Sequence, residues 1–187
     1  MNTNVKPGWV TAVGIIAIVL SGFGVLGGLQ ESLTPVMIDA QRAEYEMIIE
    51  EFNSMTAEGE QQLSPEDQQI IDMMSSFAEF FEKILNMPEW YLNWLIVSGI
   101  ISMLIHGFYL FAAIGLMQLK PHAPRFLATA LPLSIALAIT RTTIAVQALG
   151  GMAFFMMGGT LIALLIEVVL LIVLLTKDKS VFKQFEA

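Results

Sequence analysis

Three ionisable residues interrupt the most apolar stretches of this chain: His106, Arg141 and Glu167, one in each of three hydrophobic runs. Placing a charge at the depth of a bilayer costs about 3 kcal/mol on insertion scales, so such side chains turn towards a protein interior and find partners there. The three differ in kind. Arg141 is a fixed cation, Glu167 an anion or a neutral acid, and His106 the type of side chain whose charge changes near neutral pH. At a rise of 1.5 Å per helical residue, Glu167 falls about 14 Å, His106 about 18 Å and Arg141 about 22 Å from one membrane face, within reach of long side chains. The expectation is an Arg141–Glu167 ion pair with His106 beside it, serving either to pin two helices together or to pass protons or ions.

Small and polar neighbours extend this pattern. Ser98, Ser102 and His106 recur at intervals of four, with Tyr109 three later. Thr140, Thr143 and Gln147 flank Arg141, and Gly159, Ala163 and Glu167 again recur at intervals of four. Ser102, His106, Arg141, Gln147 and Glu167 therefore make up the expected intramembrane polar cluster. In the first apolar run, Gly14, Ala17, Ser21, Gly24 and Gly28 line one helical face, and Ser21, Gly24 and Gly28 are the expected close-packing positions. Pro132 is expected to kink its helix.

Other chemistries find no support. The sequence has no Gly-rich phosphate loop, no His-Glu-x-x-His and no Gly-x-Ser-x-Gly, and Ser102 one turn from His106 is a spacing that packing alone produces, so no catalytic site is expected. There is no Cys, hence neither a disulfide nor a thiolate metal site. The twelve methionines form no repeated Met-x-Met or Met-x-x-Met run, so they serve as packing residues, and no metal or cofactor is expected.

The elements that must position these residues follow from hydropathy. Hydrophobic residues make up 56% of the 187, and the mean hydropathy is +0.70; soluble domains lie nearer about 45–50% apolar. Four runs, at 9–29, 90–118, 126–148 and 152–176, reach the roughly 20 residues that a bilayer crossing needs. The first exceeds the roughly 7–15-residue apolar core of a secretory signal, and no Ala-x-Ala-like site follows it, so it reads as a retained span. The later connections, Lys120–Arg125 and Gly150–Gly151, are short enough to force antiparallel neighbours.

Lys6, Lys120, Arg125, Lys177, Lys179 and Lys183 all fall at the ends belonging to one side, which places both termini in the cytoplasm and residues 30–89 outside. Trp90, Tyr91 and Trp94 form an aromatic belt at the outer start of the second span. The opening run from Gly8 to Leu20 is of a kind common in small bacterial membrane proteins, so the bacterial cytoplasmic (inner) membrane is the expected location.

Residues 30–89 hold 14 of the 17 acidic residues and two bases, Arg42 and Lys83, a balance of −12 that turns away nucleic acid and anionic lipid. Thr34–Pro35 reads as one helix start and Ser64–Pro65 as another, with a turn near Gly59. Ile38, Tyr45, Ile48, Phe52 and Met55 share an apolar face on the first helix; Phe77, Phe80, Phe81 and Ile84 form one on the second. The expected fold is all-α: an integral membrane protein of four transmembrane helices, with an extracytoplasmic acidic helical hairpin between spans one and two. Its parts are residues 1–29, 30–89, 90–176 and a cytoplasmic tail at 177–187.

Two functions follow. One is a non-enzymatic assembly or interaction subunit, meeting a second copy or a membrane-protein partner through the apolar face at Phe77, Phe80, Phe81 and Ile84. The other is a small ion or proton channel or transporter built on His106, Arg141 and Glu167. The orientation is testable separately. Single cysteines at Glu58 and Ala187 should react oppositely with an impermeant thiol reagent on intact cells, Glu58 labelled and Ala187 protected; the reverse pattern inverts the topology.

Overall fold

The computed structural model describes residues 6–58 and 65–183. The described residues form six helices and no strand: α1 (Gly8–Glu58), α2 (Pro65–Leu85), α3 (Glu89–Met117), α4 (Ala123–Leu149), α5 (Met152–Thr176) and the single turn α6 (Ser180–Lys183). Four of them, α1, α3, α4 and α5, contain stretches long and apolar enough to cross a membrane.

The first helix departs from expectation. The Thr34–Pro35 pair, which reads as the start of a separate helix, lies inside α1, which runs unbroken for 51 residues. Proline lacks the N–H that would bond the carbonyl four residues back, here that of Glu31, so the helix passes through with one rung fewer. Helix already formed on both sides of the proline outweighs that loss. The turn near Gly59 and the Ser64 start lie outside the described residues.

The chain divides into two compact units, Met1–Ser32 with Ile96–Ala187, and Leu33–Leu95. In the first, α1 and α3 run antiparallel, since Gly14 of α1 meets Met117 of α3 and Gly28 meets Gly99. The backbones touch at the second of these crossings. A Cβ on Gly28 would stand 2.7 Å from the Gly99 carbonyl, and one on Gly99 would stand 2.7 Å from the Ser32 nitrogen. Neither position admits a side chain. Ser21, on the same stripe, is fully buried and bonds the carbonyls of Ala17 (2.7 Å) and Ile18 (3.1 Å) in its own helix.

The apolar core of this unit gathers at the end where α1 begins. Val10, Val13 and Ala17 meet Tyr109, Ala113 and Leu116 of α3, Leu127 and Leu131 of α4, and Leu170 and Leu174 of α5. Trp9 packs at a tilt against Phe182 of α6 across this end, with ring centroids 6.1 Å apart. The surfaces facing away are also apolar: Phe23, Leu104, Ile162 and Leu165 are more than 60% exposed, which suits lipid and not water.

Two turns set the antiparallel order. After α3, Lys120 N–H bonds Gly115 O (2.9 Å) and Leu119 N–H bonds Leu116 O (3.0 Å), the paired pattern of a Schellman cap. Leu119 takes the left-handed conformation, φ 58°, at a cost of about 1–2 kcal/mol that its packing against the core offsets. Between α4 and α5, Gly150 adopts φ 60° and ψ −137°, a combination open in practice to glycine alone.

In the second unit, Tyr45 of α1 stacks on Phe81 of α2 at 5.1 Å, and Arg42 donates to the Leu85 carbonyl at 3.5 Å. Ala78 of α2 and Ile38 of α1 are buried in this unit. Lys83 donates to Glu79 at 2.6 Å one turn away, and this bond holds the exposed Glu79 carboxyl below the usual carboxylate range. The side chains of Phe52 and Met55 lie outside the described set.

The glycine contacts yield a paired test. Gly28→Ala should lower stability by about 1–3 kcal/mol, because overpacking pushes backbone against backbone. Gly27→Ala, where a Cβ meets nothing within 4 Å, should be neutral or slightly stabilising through helix propensity. Thermal unfolding of both variants in mild detergent decides; equal midpoints would mean that the α1–α3 crossing is not tight.

Candidate functional site

Above the apolar core, the first unit carries a continuous chain of polar side chains drawn from all four long helices. It starts at Glu31 of α1, whose Oε1 accepts a hydrogen bond from Ser98 Oγ of α3 at 2.7 Å. The other carboxylate oxygen of Glu31 forms an ion pair with the Arg141 guanidinium of α4. Arg141 Nη1 also donates to Ser102 Oγ at 3.3 Å, and Ser102 Oγ lies 3.4 Å from the Gly24 carbonyl to which it donates.

The chain continues through the imidazole. His106 Nδ1 stands 2.9 Å from the Ser102 carbonyl oxygen and 3.2 Å from its hydroxyl, while Nε2 stands 3.1 Å from Ser134 Oγ of α4. Ser134 Oγ donates to Glu167 Oε1 of α5 at 2.7 Å. Seven side chains are thus linked: Ser98, Glu31, Arg141, Ser102, His106, Ser134 and Glu167. The α3 members, eight residues from first to last, cover about 12 Å of helix axis.

Local sequence explains how they meet. The i, i+4, i+8 spacing of Ser98, Ser102 and His106 puts them on one face of α3. Gly24 opens the facing surface of α1, where any Cβ would collide with the imidazole of His106. Ser134 and Arg141, two turns apart on α4, share the opposite wall. Ser98, Ser102, Ser134 and Glu167 are buried, the last with 4% of its surface exposed.

Of these groups, Ser102, His106, Ser134, Arg141 and Glu167 line a partly open cavity of about 230 Å³, with Gly24 and Gly27 in its wall. Tyr109, one turn from His106 with ring centroids 6.3 Å apart, is fully buried, and its hydroxyl has no hydrogen-bond partner among the described residues. No group of three or more metal-ligating His, Asp or Glu side chains occurs among the described residues.

Against the sequence expectations, the structure brings Ser102, His106, Arg141 and Glu167 around one cavity but pairs them differently. Among the described residues no ion pair joins Arg141 to Glu167. Glu167 bonds Ser134, seven residues and so about 10 Å along α4 from Arg141. Arg141 instead reaches Glu31. Gln147 is exposed and stands apart from the chain, and Thr140 and Thr143 are exposed and bond carbonyls of their own helix.

Two members were not anticipated. Glu31 falls just past an apolar run that closes at Leu29, in the acid-rich segment, yet it continues the Gly24–Gly28 face three residues on. Ser134 sits two turns before Arg141 on the same face, a polar residue in an apolar run. Those helical spacings were the available signals. Comparison with known protein families, with curated proteins and with solved structures finds no match to this chain.

The pairing makes a sharp prediction. Removing one member of a buried ion pair typically costs about 3–5 kcal/mol, because the other is left uncompensated. Arg141→Gln and Glu31→Gln should each destabilise, and the double variant should recover part of the loss. Arg141→Gln with Glu167→Gln, which meet only through Ser102, His106 and Ser134, should couple more weakly than the Glu31 cycle. Folded yield and melting point in detergent measure both cycles; non-additivity confined to the Glu167 cycle would overturn the assignment.

Proposed function

We propose that this chain is a small transporter or channel of the bacterial cytoplasmic membrane, moving protons or small ions past the polar chain of its four long helices. The observation that carries the reading is the hydrogen-bonded series from Glu31 to Glu167, of which Ser102, His106, Ser134, Arg141 and Glu167 line an otherwise largely apolar cavity of about 230 Å³. Polar contacts that served only to lock helices together would be expected to pack without space between them. This cavity has room for several waters, and its wall offers them charged and hydroxyl partners. Ionisable groups in such a setting commonly mark ion and proton pathways.

The basic residues at the span ends support an orientation with both termini cytoplasmic and the acidic helical hairpin, α2 with the second half of α1, outside. A second reading, assembly through that hairpin, draws on a different observation. Ile70, Met73 and Phe77 share one face of α2 and are each more than half exposed, while Phe80, Phe81 and Ile84 are half-buried. The apolar face available to a second copy or a membrane-protein partner is therefore centred on Phe77 and the preceding turns.

Each reading has its own assay. Purified protein in liposomes, under an imposed pH gradient or potassium diffusion potential, should dissipate the gradient. Glu167→Gln should cut the rate at least tenfold, and Thr143→Val, on an exposed position outside the chain, should leave it unchanged. A parent rate equal to that of protein-free liposomes retires the transport reading. For assembly, Met73→Asp with Phe77→Asp should lower the oligomeric state measured by light scattering in mild detergent; an unaltered mass removes the support for it.

A further inference from the structure

The hydrogen bonds around His106 cannot all be made unless the site holds one extra proton. The Ser102 carbonyl, 2.9 Å from Nδ1, has lone pairs and no hydrogen, so Nδ1 must carry a proton and donate. The opposite tautomer would set two lone pairs against each other at that distance. Ser134 has a single hydroxyl hydrogen but two neighbours, Nε2 at 3.1 Å and Glu167 Oε1 at 2.7 Å. If it donates to a Glu167 carboxylate, Nε2 must also carry a proton, and His106 is an imidazolium. If it donates to Nε2, Glu167 must be a carboxylic acid that donates to Ser134 Oγ. Both arrangements contain the same number of hydrogens.

We infer that His106, Ser134 and Glu167 form a single proton-binding site, in which one proton taken from water is shared between the imidazole and the carboxyl through the Ser134 hydroxyl. The assignment rests on the proposed transport reading for its purpose and names the ion that the cavity binds. The internal step is balanced. The His106 Nε2–H bond breaks as its proton passes to Ser134 Oγ, and the Ser134 hydroxyl proton passes to Glu167 Oε1. An imidazolium and a carboxylate become an imidazole and a carboxylic acid, with no net charge moved into or out of the site.

Loss of the proton has a structural consequence. With Nδ1–H neutral imidazole and ionised Glu167, the one Ser134 hydrogen can serve Nε2 or Glu167 and not both. One of the two links joining α3, α4 and α5 must then open, and water in the cavity becomes the replacement partner. The remaining charges near the site are the Arg141 guanidinium and its Glu31 partner. Arg141 is a fixed cation compensated by Glu31, and Ser102 separates that pair from His106. Tyr109 lies one turn away without a bond to either group. Proton occupancy is thereby tied to the packing of three helices, as a coupled carrier requires.

The test uses full-length protein in detergent, labelled with ¹⁵N-histidine and ¹³C-glutamate. His122, in the α3–α4 turn, serves as a reference, and Glu167→Gln assigns the carboxyl signal. Across a pH titration, the His106 ring nitrogens and the Glu167 carboxyl should change with one common midpoint and release one proton together, with Nδ1 protonated throughout. Ser134→Ala should split the midpoints, and Ser134→Thr, which keeps the hydroxyl, should restore their coincidence. Independent midpoints in the parent, or an unprotonated Nδ1, would overturn the inference, and the Nδ1 result does not depend on any variant folding. Liposome flux separates this from the broader reading. Flux with independent midpoints removes the shared proton alone, whereas a common midpoint without flux leaves the proton site standing and removes transport.

Discussion

A guanidinium inside a bundle of apolar helices cannot shed its charge, so it has to be neutralised where it stands. Arg141 meets that demand through Glu31, and much of the surrounding architecture follows from bringing the two together. Glu31 lies beyond the point where hydropathy alone would end the first span, so α1 must stay helical past Leu29 and carry its carboxylate against α3 and α4. It can do so only if its backbone runs close to α3. The Gly28–Gly99 crossing supplies that approach, and Ser98, one residue before Gly99, holds the second carboxylate oxygen. A larger side chain at either glycine would lift Glu31 away and leave Arg141 facing the cavity unpaired.

The same stripe of small residues has a second effect one turn further along. Gly24 leaves a recess that the His106 ring occupies, and this sets the ring's two nitrogens between Ser102 on its own helix and Ser134 on α4. Serine suits both positions because its hydroxyl donates once and accepts twice, so it can pass hydrogen bonding on in either direction. The chain accordingly has two halves of different character. From Ser98 to Ser102 it is a fixed ion pair with its supports; from His106 to Glu167 it is a set of groups whose protons can be rearranged.

Much of the fold was legible in the sequence. Runs of about twenty apolar residues with short polar connections leave little freedom, and α3, α4 and α5 begin and end within a few residues of the expected limits. The continuity of α1 was not legible, because a threonine–proline pair is an equally good signal for starting a helix and for passing through one supported elsewhere. Glu31 was obscured for a related reason. Thirteen other acids in residues 30–89 made it look like part of a solvated segment, and only its position on the Gly24–Gly28 face set it apart. The site's membership followed from residue type and depth, but its pairing did not. Depths counted from helix ends place groups at a level without saying which way side chains reach, and Ser134 took the place opposite Glu167 that Arg141 had been expected to fill.

The position of the apolar core gives the polar chain a direction. One turn from His106, towards the end where α1 begins, lies buried Tyr109; in the same direction from Ser134 lies Leu131, and from Glu167 lies Leu170. Leu116, Leu127 and Leu174 close the space behind them. Access from that end is therefore sealed by close packing, while the cavity beside the polar groups is partly open. A transporter must reverse such an asymmetry in the course of its cycle, and a packed core yields by switching between arrangements more readily than by stretching. The residues best placed to control that switch are those whose bonds depend on the shared proton. On the proposed transport reading, His106, Ser134 and Glu167, each one helical turn from a member of that packed layer, are placed so that a change in which helices they tie together would bear on Tyr109, Leu131 and Leu170.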